Sequence, residues 1–387
     1  TQINTGVRFL RITDIVPSSI DWDTVPFCDI SEGEFEKCRL SQDDIVIART
    51  GATVGYAKQI GHNPPKAVFA SYLVRVKLKD DVSKKFVGLL VESNNYKNYI
   101  DTIAGGAAQP NANAQDLSSY PFYLPPKPIQ EKISAILSAY DDLIENNRRR
   151  IVLLEKMAEE IYREWFVRMR FPGHGQAKFE KGAPVGWAPS TLGSIAKFTM
   201  GQSPSSEFYN EIGDGLPFHQ GVGTYGERFP RTVTYCSEEG RRAHKGDILF
   251  SVRAPVGRLN IADREMIIGR GLAAIRHKAE KNSYLYYLLK TAFANEDIIG
   301  NGSIFNSVGK DELAKFPIYE PKLGLIEQFD TIASNIDLQI VALTQATERF
   351  QLTREALLPR LISGKLDVEN LDIQFPPSMA ETEPGEA

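Results

Sequence analysis

Cysteine is scarce: Cys28, Cys38 and Cys236 are odd in number and never fall as C-x-x-C. That argues against a disulfide framework, and reduced thiols in a cytoplasmic protein are the expectation. The five histidines, His62, His174, His219, His244 and His277, fall singly, without H-x-x-H or H-E-x-x-H spacing, so no metal site is expected. No apolar run approaches the ~20 residues that span a bilayer, and no charged-then-apolar leader opens the chain, so neither a membrane partner nor export is expected. No G-x-G-x-x-G follows a strand pattern and no G-x-x-x-x-G-K-[ST] occurs, which leaves no nucleotide-binding fingerprint. Ser251 lies outside a G-x-S-x-G elbow, and no pair of carboxylates is singled out by spacing, so no catalytic residue is assigned. Asn63-Pro64-Pro65 has the start of an amino-methyltransferase signature, but Lys66 stands where a base-stacking ring is needed. A hairpin turn is the expectation there.

What the chain does have is ample core material, 42% hydrophobic and 10% aromatic residues in 387, enough for two domains or more. The net charge of -4 argues at first against a polyanionic partner. Six acids and no Lys or Arg lie between Leu366 and Ala387, however, and the remainder carries +2. This tail reads as a solvated appendage, and any anion-binding surface on the body must be local.

The dominant signal is repetition. "PFYLPPKPIQEKISAIL" (Pro121 to Leu137) returns as "PIYEPKLGLIEQFDTIA" (Pro317 to Ala333), 196 residues on. "LSQDDIVIARTGATVG" (Leu40 to Gly55) matches "AHKGDILFSVRAPVG" (Ala243 to Gly257) at about 203, and "TGVRFLRI" matches "DGLPFHQG" at about 209. "AGGAAQPNANAQDL" from Ala104 matches "IGNGSIFNSVGKDEL" from Ile299. A drifting offset is what loops of unequal length produce, and the unit size indicates a duplicated domain rather than a solenoid. The second unit has a lead-in, Pro184 to Ile212, that the first lacks, so either the first domain is expected to miss its opening segment or the sequence is part of a longer natural protein.

Each unit ends in a long amphipathic segment. Apolar positions step by four and three through Ile133, Leu137, Tyr140, Ile144, Asn147, Ile151, Leu154, Ala158, Ile161 and Trp165. The second seam runs Phe329, Ala333, Ile336, Ile340, Leu343, Thr347, Phe350, Arg354, Leu357 and Leu361. A 3.5-residue period held this long signals coiled-coil helices of ~50 Å that pair with each other, with Asn147 helping to set register. Ile144, Asn147, Ile151, Leu154, Ile336, Ile340, Leu343 and Phe350 are the expected pairing residues. Pro128 and Pro321 mark the helix starts and Gly364 the stop.

With chemistry-bearing motifs missing, binding is the remaining reading, and polar glycine-bearing loops recur at matching places. The first unit offers Arg49, Thr50, Thr53 and Lys58, then Gln109, Asn111 and Asn113. The second offers Arg253 and Arg258, then Ser303, Asn306 and Lys310. Arg pairs bidentately with guanine and Asn or Gln with adenine, while Ser, Thr and Lys suit phosphates. Asn and Gly are also ordinary turn residues, which weighs against any one of them taken alone.

Taken together, two strand-rich domains with proline-marked exits into heptad helices, "GDILFSVRAPVG", "LLPRLISGKLDV" and the P-V-G-W…L-G opening at Pro184 resemble the DNA-specificity (S) subunit of type I restriction–modification enzymes, over about residues 1 to 370. The resemblance implies an α+β fold with two target-recognition domains joined by two long antiparallel coiled-coil spacer helices, a tandem pseudo-two-fold repeat. It implies a split double-stranded DNA target and two methyltransferase subunits docked on this scaffold, with restriction/translocase subunits beside them. S-adenosylmethionine, ATP and Mg would be held by those partners and no cofactor by this chain. The expected boundaries are 1–128 for the first recognition domain, 129–170 for the central helix, 184–322 for the second domain, 323–364 for the C-terminal helix and 365–387 for the acidic tail. The alternatives are a DNA methyltransferase with its own recognition domains and a coiled-coil scaffold that binds no DNA.

Overall fold

All four residues of the strand Ile248–Ser251 are buried because it has apolar packing on both faces. Ile248 and Phe250 enter one core and Leu249 another. The chain is known from a computed structural model that describes residues 4–17, 19–105, 110–180, 182–293 and 307–379. It divides into two compact units, Thr1–Asn147 with Gln345–Ala387, and the continuous stretch Arg148–Thr344.

In the second unit, Ile248–Ser251 pairs antiparallel with Leu259–Ile261 on one side and Leu272–His277 on the other, and Ala196–Met200 completes a four-stranded sheet. A second sheet centres on the parallel pair Leu216–His219 and Met266–Ile268. The first unit repeats the centre of each arrangement, in sheets of three and two strands. Ile45–Ala48 pairs with Ala57–Gln59 and Leu73–Val76, and Arg8–Leu10 runs parallel to Ala67–Phe69. Here too the central strand serves two cores, Ile45 and Ile47 facing one and Val46 and Ala48 the other.

The repeat extends to single hydrogen bonds. Buried Asp44 accepts from the Ser41 backbone N–H at 2.9 Å, and buried Asp247 accepts from that of His244 at 2.7 Å. The Val-Gly ending of each loop closes the same turn: Gly55 donates to Ala48 at 2.8 Å and Gly257 to Ser251 at 3.0 Å. Both glycines are left-handed, with φ of 82° and 89°. A Cβ at Gly55 would stand 2.9 Å from Ile100, and one at Gly257 would stand 3.1 Å from Phe293. Gly257→Ala is therefore expected to cost about 1–2 kcal/mol from the left-handed backbone, before the side-chain crowding is counted. Thermal unfolding of the variant checks this, and an unchanged Tm would show that the turn relaxes freely.

Asn63-Pro64-Pro65 is not a hairpin turn. It connects Ala57–Gln59 of one sheet to Ala67–Phe69 of the other, with Asn63 at φ 48°.

Two long helices carry the heptad patterns. The first spans Lys127–Tyr162, 36 residues, and the second Leu323–Ile362, 40 residues. Within the first unit their order is antiparallel: the Tyr140 and Phe350 ring centroids lie 6.2 Å apart, and Asp141 meets Arg354 Nε at 2.6 Å. Ile133 and Leu137 share a core with Leu358 and Leu361. Ile144 is buried on the same helix, and the polar seam entries Asn147 and Thr347 are each 8% exposed. Within the second unit, Ile151, Ile336 and Ile340 lie in one core, with Leu154 and Leu343 packed against it. Phe329 lies 5.6 Å from Tyr162 and 6.0 Å from Trp165, centroid to centroid.

The seam departs from the expected spacing at its end. The first helix closes in a π turn over Arg163–Val167, whose extra residue per turn rotates the chain. Tyr162 and Phe166 are buried there, while Ile161 and Trp165 are only half-buried. Gly364, at φ 72°, follows the end of the second helix and donates to Leu361 at 3.2 Å.

The tail is not wholly a solvated appendage. Val368 is 3% exposed in the core of the first unit, with Leu366 and Ile373 packed on it. Lys132 Nζ donates to the carbonyls of Glu369 at 2.6 Å and Leu371 at 2.8 Å. Asp367, Glu369 and Asp372 are exposed while Leu366, Val368 and Ile373 dock, which a count of charges does not reveal. The remainder, 380–387, lies outside the described residues.

Candidate DNA interface

In the first unit three loops are tied edge to edge. Arg49 donates its backbone N–H to Tyr72 at 3.0 Å, and its carbonyl accepts from Ala112 at 2.9 Å. Thr50 bridges Asn111, and the Gly51 N–H reaches the Pro110 carbonyl at 2.9 Å. The second unit repeats this: Val252 donates to Gly271 at 2.9 Å and accepts from Val308 at 2.9 Å, and Arg253 bridges Ser307. Thus segments nearly sixty residues apart in sequence, Arg49–Thr53 and Pro110–Asn113, present one polar rim in each unit.

Residue by residue, the rim differs from the expected set. Arg49, Thr50 and Thr53 are half-buried on the first loop, and Asn111 is exposed beside it. Arg253 is exposed, and its guanidinium has no hydrogen-bond or ion-pair partner among the described residues. Arg258, also exposed, closes its loop through its N–H, which donates to Ser251 Oγ at 2.8 Å, while that hydroxyl donates to Pro255 at 2.6 Å. Lys310 is exposed and begins the helix Lys310–Lys315.

Two expected contacts are engaged elsewhere. Lys58 sits within the strand Ala57–Gln59 and pairs with Glu92 at 3.0 Å. Asn113 is a helix cap, its Oδ1 accepting from the N–H groups of Gln115 at 2.8 Å and Asp116 at 3.0 Å. Its counterpart Gly309 keeps the backbone half of that device, donating to Glu312 at 2.8 Å. Gln109, Ser303 and Asn306 lie outside the described residues.

The rim also holds residues that motif reasoning passed over. Tyr72 is 59% exposed at the root of the first loop, and Arg270 is exposed in the equivalent turn of the second unit. The alignment "ASYLVRV" with "GRGLAAI", at offset 199, was the available signal.

The second unit also holds a buried charge. Arg228 is 3% exposed; its Nη1 meets Glu155 Oε1 at 3.1 Å and its Nη2 pairs with Asp337. The guanidinium stands 4.7 Å over the Tyr286 ring, and Asp337 also accepts from Ser283 Oγ at 2.6 Å. Burial is the largest single influence and works against the charge, but Asp337 together with Tyr286 and Tyr287 outweighs it and the Arg228 pKa is raised.

Among the described residues no group of three or more His, Cys, Asp or Glu is placed to hold a metal ion, and no helix is long and apolar enough to cross a membrane.

Residues 24–156 and again 184–347 match the type I restriction modification DNA specificity domain. A putative type I restriction enzyme specificity subunit of Methanocaldococcus jannaschii, MjaX, is 30% identical over 374 residues, covering 94% of this chain and 88% of the relative. The MjaIX specificity subunit of the same organism is 25% identical over 367 residues, covering 89% and 83%. Among solved structures, the type I restriction-modification S subunit from M. genitalium aligns with a TM-score of 0.56 at 16% identity, over 94% of this chain and 90% of that one, a likeness of fold. Two matches in one chain, at the two ends of the internal repeat, place it in the family of type I restriction–modification DNA specificity subunits.

Proposed function

We propose that the two polar rims read the two halves of a split double-stranded DNA site. The observation that carries this reading is the repeat of the bridged loops, Thr50 with Asn111 and Arg253 with Ser307, on closely similar sheets bearing different side chains. A duplicated scaffold suits two copies of one partner, and divergent rims suit two unlike half-sites. The Arg and Asn side chains on the rims are the types that pair with guanine and adenine edges.

In this reading the chain works in the cytoplasm and performs no catalysis. Two methyltransferase subunits dock on it and supply the S-adenosylmethionine chemistry. Restriction/translocase subunits hold ATP and Mg. The test is co-expression with the methyltransferase encoded nearest this gene, followed by mapping of modified bases in host DNA. A split motif with a fixed gap is the expected result. A co-purifying complex that leaves no mark, or an unsplit motif, would overturn it.

A further inference from the structure

We propose that Arg228 is a positioning residue for recognition of the second half-site, holding the strand that leads from the Arg253–Arg258 loop to both long helices. The proposal rests on the split-site reading above. The carbonyl of Arg228 accepts from the Ile261 N–H at 2.9 Å, and the Gly226 carbonyl accepts from Asn260 Nδ2 at 3.1 Å, which ties the Arg228 turn to the strand Leu259–Ile261. That strand pairs directly with Ile248–Ser251, and the loop between them carries Arg253 and Arg258. At its other end the Arg228 side chain spans Glu155 of the first long helix and Asp337 of the second. One guanidinium thus references the reading loop to both helices at once.

Among the described residues of the first unit this device does not recur. Asp141, equivalent to Asp337 at the 196-residue offset, pairs with Arg354 of the second helix at 2.6 Å, so the same carboxylate is satisfied between the helices. A buried ion pair adds little net stability compared with apolar packing, but it admits few geometries. Planar guanidinium bridges two carboxylates in a fixed fork, whereas an ammonium is a single point charge. Replacement of Arg228 therefore loosens the orientation of one rim and leaves the other unaffected.

The experiment uses the full chain co-purified with its methyltransferase subunits, acting on a plasmid library with randomised half-sites and gap lengths. Arg228→Gln is expected to lose on the order of tenfold or more discrimination at the second half-site, since a misplacement of ~1 Å is enough to cost ~100-fold where geometry is fixed. It should also accept gaps changed by one base pair, with the first half-site read normally. Arg228→Lys should fall between Gln and wild type, and Asp141→Asn should leave the second half-site unaltered. Equal loss at both half-sites would mean a general folding defect and overturn the proposal. Unchanged selectivity in Arg228→Gln, with a split wild-type motif, would overturn this inference alone. A wild-type complex that directs no mark would overturn the functional reading and this inference with it.

Discussion

Replacing Phe329 by alanine is expected to lower the stability of the second unit by about 3–5 kcal/mol, the range for a large aromatic removed from a packed core. Phe329 is 0% exposed. Its ring lies 5.4 Å from Phe166, 6.3 Å from Tyr284 and 6.1 Å from Tyr287, besides Tyr162 and Trp165, mostly edge to face. Few neighbours can shift to fill the gap, because they come from the first long helix, from its closing π turn and from the helix Asn282–Ala292. Urea unfolding followed by the fluorescence of adjacent Trp165 reads the loss. Leu338→Ala, 66% exposed on the same helix, is the control and should change stability by no more than about 0.5 kcal/mol. A Phe329→Ala cost below about 1 kcal/mol would show that this aromatic cluster is not the mechanical centre of the unit.

Arg253→Ala should remove recognition at the second half-site by about 1–3 kcal/mol, roughly 10–100-fold, if the guanidinium pairs bidentately with a base edge. Its backbone is fixed by the bridge to Ser307 and its side chain is exposed, so the substitution removes a reaching group without opening a core. Modification assays on half-site variants measure the effect, and the first half-site should be read as before. Impairment of both half-sites to the same degree would contradict modular reading.

Much of this architecture was legible as repetition. The turns at Asp44 and Asp247 and the loop closures at Gly55 and Gly257 recur because each satisfies backbone groups that burial leaves no alternative for. The helices were legible because pairing imposes a period. Single contacts were less so. Lys58 looked like a loop cation, but its partner Glu92 lies 34 residues away at a helix end. Asn113 followed by Asp116 is a helix-start pattern, and cap chemistry accounts for the amide that base chemistry had suggested. Arg228 had no local signal at all, since Glu155 and Asp337 reach it from two distant helices. The π turn at Arg163–Val167 likewise escaped a strict heptad count.

The division of the chain has a consequence for synthesis. The second unit is one continuous stretch, Arg148–Thr344, and can complete as it emerges. The first draws Leu358, Leu361 and Val368 into the core that holds Ile133 and Leu137. That core must therefore wait for some two hundred further residues, roughly 10–40 s at ~5–20 residues per second. The usual order in which the amino-terminal domain finishes first is inverted. During that interval Ile133 and Leu137 on the first long helix lack the carboxy-terminal half of their core.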